Sequence, residues 1–104
     1  MKLLPKRVKV GGITYSINKI KMEDFGECHT DPPTINIKAK MKYSLQASTL
    51  VHELLHIAYT HAGIQLGDDE ERIISGLENV LVPIIADNPD LWYWIIKAFE
   101  QEEE

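Results

Sequence analysis

One pentapeptide constrains this chain more than any other feature: His52-Glu53-Leu54-Leu55-His56, set inside an apolar run with Leu50, Val51, Ile57 and Ala58. So little of that run is polar that it reads as a central helix. At about 100° per residue, positions i and i+4 lie one above the other on a helix, so both imidazoles can reach a single ion. Glu53 projects from the adjacent flank, where it can take a proton from a water without ligating the ion itself. Two histidines and a glutamate buried without mutual compensation would be costly. The H-E-x-x-H spacing therefore predicts a zinc site, with His52 and His56 as ligands and Glu53 as the general base of a hydrolysis.

A hydrolytic zinc site has three protein ligands and one open position, so a third donor is expected. His61 is the nearest histidine. The metzincin pattern, however, places its third histidine six residues beyond the second, with a glycine midway, whereas here the gap is five and Tyr59 holds that position. On a continuous helix His61 points about 180° away from His52, which makes it a surface or helix-end histidine. Glu70, Glu71 and Glu78 lie on the next helix, which a short loop can fold back antiparallel to the first. Glu71 and Glu78 share a face, and Glu70 lies about 100° round from it. Glu71 falls in the opening turn, with Ser75 one turn on to hydrogen-bond a ligating side chain. Glu71 is the expected third ligand and Glu70 the alternate. The competing account is a capping box, Asp68-x-x-Glu71, in which Glu71 only satisfies a backbone N–H.

At 104 residues the chain is expected to form one domain, 1–104, near the lower end of what an unaided core can stabilise. A hydrophobic content of 44% excludes a largely disordered chain. A net charge of -5 argues against sequence-independent nucleic-acid binding, which needs a basic face. Charge is concentrated in an acidic run, Glu100, Glu102, Glu103 and Glu104, and a basic one, Lys2, Lys6, Arg7 and Lys9; both read as solvated ends. The start of the chain lacks the apolar run of a signal peptide, and no segment approaches a membrane span. The single cysteine, Cys28, forms no internal disulfide, and a cytoplasmic location is expected.

Residues 7–10 and 13–20 read as strands joined by Gly11-Gly12, 24–26 as a polar break, Asp31-Pro32-Pro33 as a turn, and 34–38 as a third strand. Ser44 is a plausible N-cap for a helix over 45–62, ended by Gly63. Gly67-Asp68-Asp69 begins a second helix that Pro83 kinks or ends, and Asn88-Pro89 begins a last one. Three strands followed by three helices predict an α+β fold: a three-stranded antiparallel sheet packed on a central H-E-x-x-H helix, followed by two further helices.

With these residues assembled, the chain resembles the small gluzincin-type metallopeptidases of bacteriophages and prophages, which are related to the ImmA/IrrE group and similar in size to the minigluzincins. The resemblance is carried by residues 4–12, 49–56, 71–77 and 87–91. It implies His52, His56 and Glu71 as zinc ligands, Glu53 as general base and a protein or peptide substrate. Gluzincins commonly add a downstream histidine or tyrosine that stabilises the oxyanion, for which Tyr43, Tyr59, His61 and Tyr93 are the candidates here. Residues 34–38 could bind an extended substrate along a sheet edge. A different class of function competes, a zinc-stabilised regulatory or interaction module of a phage without hydrolytic activity. Trp92, Trp94 and Phe99 could complete the core or support a homodimer through the last helix.

Overall fold

The computed structural model describes residues 3–101. Lys2 and Glu102 to Glu104 of the two charged ends lie outside them. Strands β1 (Arg7–Val10) and β2 (Ile13–Ile20) form a hairpin in which Val10 pairs with Ile13 across Gly11-Gly12. Both glycines have positive φ, 57° and 79°, as a two-residue turn that follows the strand twist requires. At Gly11 a side chain would also collide with the ring of His61.

The sheet has four strands rather than three, and it is mixed rather than antiparallel. Strand β3 (Gly26–Thr30) and β4 (Pro33–Lys38) form a second hairpin, and the order across the sheet is β1-β2-β4-β3. Residues 21–25 carry the chain past one strand position. β3 then returns antiparallel at the edge, and β4 fills the gap parallel to β2, with Ile17 opposite Ile35. The sequence hid β3 because Gly26-Glu27-Cys28-His29-Thr30 has no apolar alternation; its ladder with β4 is a backbone matter. A further consequence concerns residues 34–38, which lie in the interior of the sheet, paired on both sides, so no substrate can add to that strand.

One face of the sheet carries the core. Tyr15 and Ile17 from β2, Ile35 and Ile37 from β4, and Ile57 from helix α1 (Tyr43–Ala62) are buried together, with Leu50 and Leu54 packed against them. The period of two along β2 and β4 puts these residues on one side and Ser16, Asn18, Thr34 and Asn36 on the other. α1 starts two residues earlier than expected. Lys42 is its N-cap, without a side-chain cap, so Ser44 lies inside the first turn; Gln46 Nε2 instead donates to the Met41 carbonyl at 2.7 Å. Gly63, at φ 72°, ends the helix as expected.

A short 3-10 turn (Gly67–Asp69) leads into α2 (Glu70–Asp87), and α3 (Pro89–Glu100) follows. α2 continues through Pro83 to Asp87, so the proline does not end it. Among the described residues no helix is long and apolar enough to cross a membrane. Ile35 is fully buried between β2, β3 and α1, so Ile35→Ala should lower the unfolding free energy by about 2–5 kcal/mol in urea titration. Ile13→Ala, at an exposed position, should change it by about 0.5 kcal/mol or less.

Candidate metal centre

α1 and α2 run antiparallel, so the later α1 histidine meets the earlier α2 carboxylates. His52 Nδ1 lies 2.7 Å from Glu78 Oε1, and His56 Nδ1 lies 2.6 Å from Glu70 Oε2. Carboxylates accept, so each imidazole donates from Nδ1 and its Nε2 is left as a lone pair. Those two Nε2 atoms are 3.2 Å apart, and Glu71 closes the group with Oε1 2.5 Å from His52 Nε2 and Oε2 3.1 Å from His56 Nε2. His52, His56 and Glu71 thus lie close enough to hold a metal ion.

The chemistry of this donor set fits a cation. Two imidazole nitrogens and a carboxylate facing one another at these distances repel unless a proton or metal ion sits between them. Burial works against a charged His52, yet the hydrogen bond to Glu78, the charges of Glu71 and Glu53 and the hydrogen bond to Glu71 outweigh it, so its pKa is raised. A metal ion entering the group therefore displaces a proton.

Glu71 takes the expected place, and the capping-box account fails: Asp69 is the N-cap of α2, and no side chain caps it. Glu70 is not a second choice of ligand in this geometry, because it holds the outer nitrogen of His56. Glu78, which the sequence placed on the right face without a role, does the same for His52. These two carboxylates orient the imidazoles; Ser75, expected to hydrogen-bond a ligating side chain one turn from Glu71, lines the cleft beside them. His61 lies elsewhere, with Nε2 2.9 Å from Tyr15 Oη, tying the end of α1 to the β1–β2 hairpin.

The group opens into a cleft of about 1060 Å³ with β3 along one wall, α1 as floor and α2 opposite. Glu53 is buried beneath β3. Desolvation raises its pKa against the opposing hydrogen bond from Cys28 and the charges of His52 and His56. Cys28 is in turn pushed up to about 12, by burial first and then by the charge of Glu53, so it is a neutral thiol that donates to the glutamate. Gly26 is what lets β3 approach: a Cβ there would sit 2.6 Å from Thr49 Cγ2 and 3.2 Å from Glu53 Oε2. The cleft also contains His29, which sequence reasoning passed over because β3 itself was not recognised; its Nε2 is 3.1 Å from Glu27 Oε2. Of the four residues considered for oxyanion stabilisation, Tyr43, Tyr59, His61 and Tyr93, none lines the cleft.

No protein-family model, curated protein or solved structure matches this chain.

His56→Ala and Glu71→Ala should each abolish stoichiometric zinc binding, measured by elemental analysis after dialysis. Glu78→Gln, which keeps all three ligands but weakens the hold on His52, should retain zinc with affinity lowered about 10–100-fold in a chelator competition titration.

Proposed function

We propose that this chain is a zinc-dependent metallopeptidase of gluzincin type, in which His52, His56 and Glu71 hold the ion and Glu53 is the general base. The observation that carries this reading is the convergence of two imidazole nitrogens and a carboxylate beside a buried glutamate, at the floor of an open cleft. Structural zinc sites are closed, four-ligand and usually rich in cysteine. Here, among the described residues, three side chains make the group, and the one cysteine sits against Glu53 instead of among them.

Zinc in this position would supply Lewis acidity, polarising a substrate carbonyl and making water a nucleophile near neutral pH. The protein's own residues do the rest. Glu53 takes the proton of the attacking water and returns it to the leaving amine, a task suited to a carboxylate whose pKa burial has raised. Glu70 and Glu78 keep the imidazoles in the tautomer that presents Nε2. β3 is paired with β4 on one side only and lines the cleft with its whole length, so an extended peptide can add to its free edge by main-chain hydrogen bonds. This edge replaces residues 34–38 as the place for a substrate backbone.

The side chains around the cleft favour a particular peptide. Asp24, Glu27, Asp31, Glu70 and Glu78 line it together with Glu53 and Glu71, and among the described residues no lysine or arginine does. Their combined field attracts substrates that carry lysine or arginine near the scissile bond.

Glu53→Gln should lower hydrolysis of a fluorogenic peptide library by about 10²–10⁴-fold while leaving one zinc per chain. Because it removes a charge that burial disfavours, the same variant should raise the melting temperature of the metal-free protein near neutral pH. A variant that still hydrolyses at the native rate would sink the assignment of Glu53.

A further inference from the structure

A second cavity, of about 790 Å³, lies where the connection from β2 to β3 meets the one from β4 to α1. Lys21, Lys38, Lys40 and Lys42 line it, and among the described residues no carboxylate does. In a chain of net charge -5, four of the 11 lysines and arginines thus gather at one place. The rest of the wall is largely apolar, from Met22, Phe25, Met41 and Leu45.

Lys38 is engaged within the chain: its Nζ donates to the Glu23 carbonyl at 3.3 Å and lies 5.9 Å from the centre of the Phe25 ring. The side chains of Lys21, Lys40 and Lys42 have no hydrogen-bond or ion-pair partner among the described residues. Lys40 has a φ of 66°, a region unfavourable to a residue with a Cβ, so the backbone alone does not call for lysine there. Like charges that converge on one cavity repel one another until an anion lies among them.

The cavity and the cleft share a wall, since Phe25 and Leu45 line both. Phe25 also leads directly into β3. Lys38 N donates to the Phe25 carbonyl at 2.8 Å, so Glu27 and His29, two and four residues on, turn their main-chain groups to β4 as well. Gly26, Cys28 and Thr30 are left to present theirs at the free edge. A peptide paired antiparallel to that edge, the more stable pairing, runs its C-terminal end past Gly26 to Phe25 and the lysines.

We propose that the lysine cavity is a subsite of the cleft that takes a carboxylate carried on an apolar segment, C-terminal to the bond lying in the cleft. The inference rests on the peptidase reading above and narrows its substrate: cationic residues against the acidic cleft, then an apolar and acidic end beyond Phe25. The opposite fields of the two halves fix the direction in which such a peptide lies. A glutamate or aspartate side chain or the end of the peptide itself supplies the same carboxylate, and lysine, a compact charge on a flexible stem, serves either.

The test is fluorescence anisotropy with the full-length, zinc-loaded Glu53→Gln protein, so that a bound peptide is not consumed. The probes are labelled peptides with a lysine-containing middle and one of three ends: Leu-Phe-Glu-Glu amide, Leu-Phe-Gln-Gln amide, or Leu-Phe-Gln-Gln with a free carboxylate. A carboxylate probe should bind at least about 10-fold tighter than the glutamine amide, the first probe if side chains are the source and the third if the chain end is. Adding Lys40→Asn and Lys42→Gln should remove that difference. Equal affinity for all three probes overturns the proposal, and so does a difference that survives the lysine substitutions. A labelled oligonucleotide that binds tighter than every peptide, and loses its binding with the same substitutions, overturns it too. Should the lysine variant fail to fold, acetylation of Lys21, Lys40 and Lys42 decides: protection by the tighter probe supports the subsite, and unchanged labelling overturns it. The expected binding in a protein whose native form hydrolyses none of the probes would support the subsite and sink the peptidase reading. Hydrolysis by the native chain together with equal binding of the three ends would do the reverse.

Discussion

The candidate metal centre depends on two hydrogen bonds made within the protein itself. Glu78 on His52 and Glu70 on His56 each turn a flexible, tautomeric ring into a fixed donor aimed at one point. Without them the two imidazoles could rotate or present the wrong nitrogen, and the i, i+4 spacing would guarantee only nearness. Because both carboxylates come from α2 and both histidines from α1, the same contacts also hold the helix pair together. Site and tertiary structure are here one set of interactions.

Glu53 is held by different means. Its surroundings are β3 above and the core of the sheet behind, and the closeness of β3 rests on Gly26 having no side chain. A carboxylate placed under a strand loses hydration, and the thiol of Cys28 returns only part of it. The sheet therefore serves two purposes with different strands: β2 and β4 bury the isoleucines that hold α1, and the edge strand roofs Glu53.

The parts legible in the sequence were those governed by helix period. H-E-x-x-H and Glu71 could be placed because residues on a helix are located by angle, and Gly63 and Asn88-Pro89 marked helix boundaries through backbone preferences that hold in any context. Glu78 fell on the predicted face, but its partner nitrogen depends on the height at which α2 lies against α1, which no local signal encodes. β3 was missed for a related reason. Of its five residues Cys28 packs against the core and the others are glycine or polar, so the apolar alternation that marks a half-buried strand is absent. With β3 missing, β4 looked like an edge, and the parallel pairing with β2 could not be foreseen.

Glu70, Glu71 and Glu78 are written on one cylinder, α2. The loop after Gly63 can change length without altering the angles among Glu70, Glu71 and Glu78, because those angles belong to the helix alone. One residue inserted between positions 71 and 78 would instead swing Glu78 by about 100° relative to Glu71 and away from His52. This region of the protein should therefore accept loop variation freely and resist insertion within the helix. The phase of a single helix, more than the identity of any one ligand, is what the architecture cannot vary.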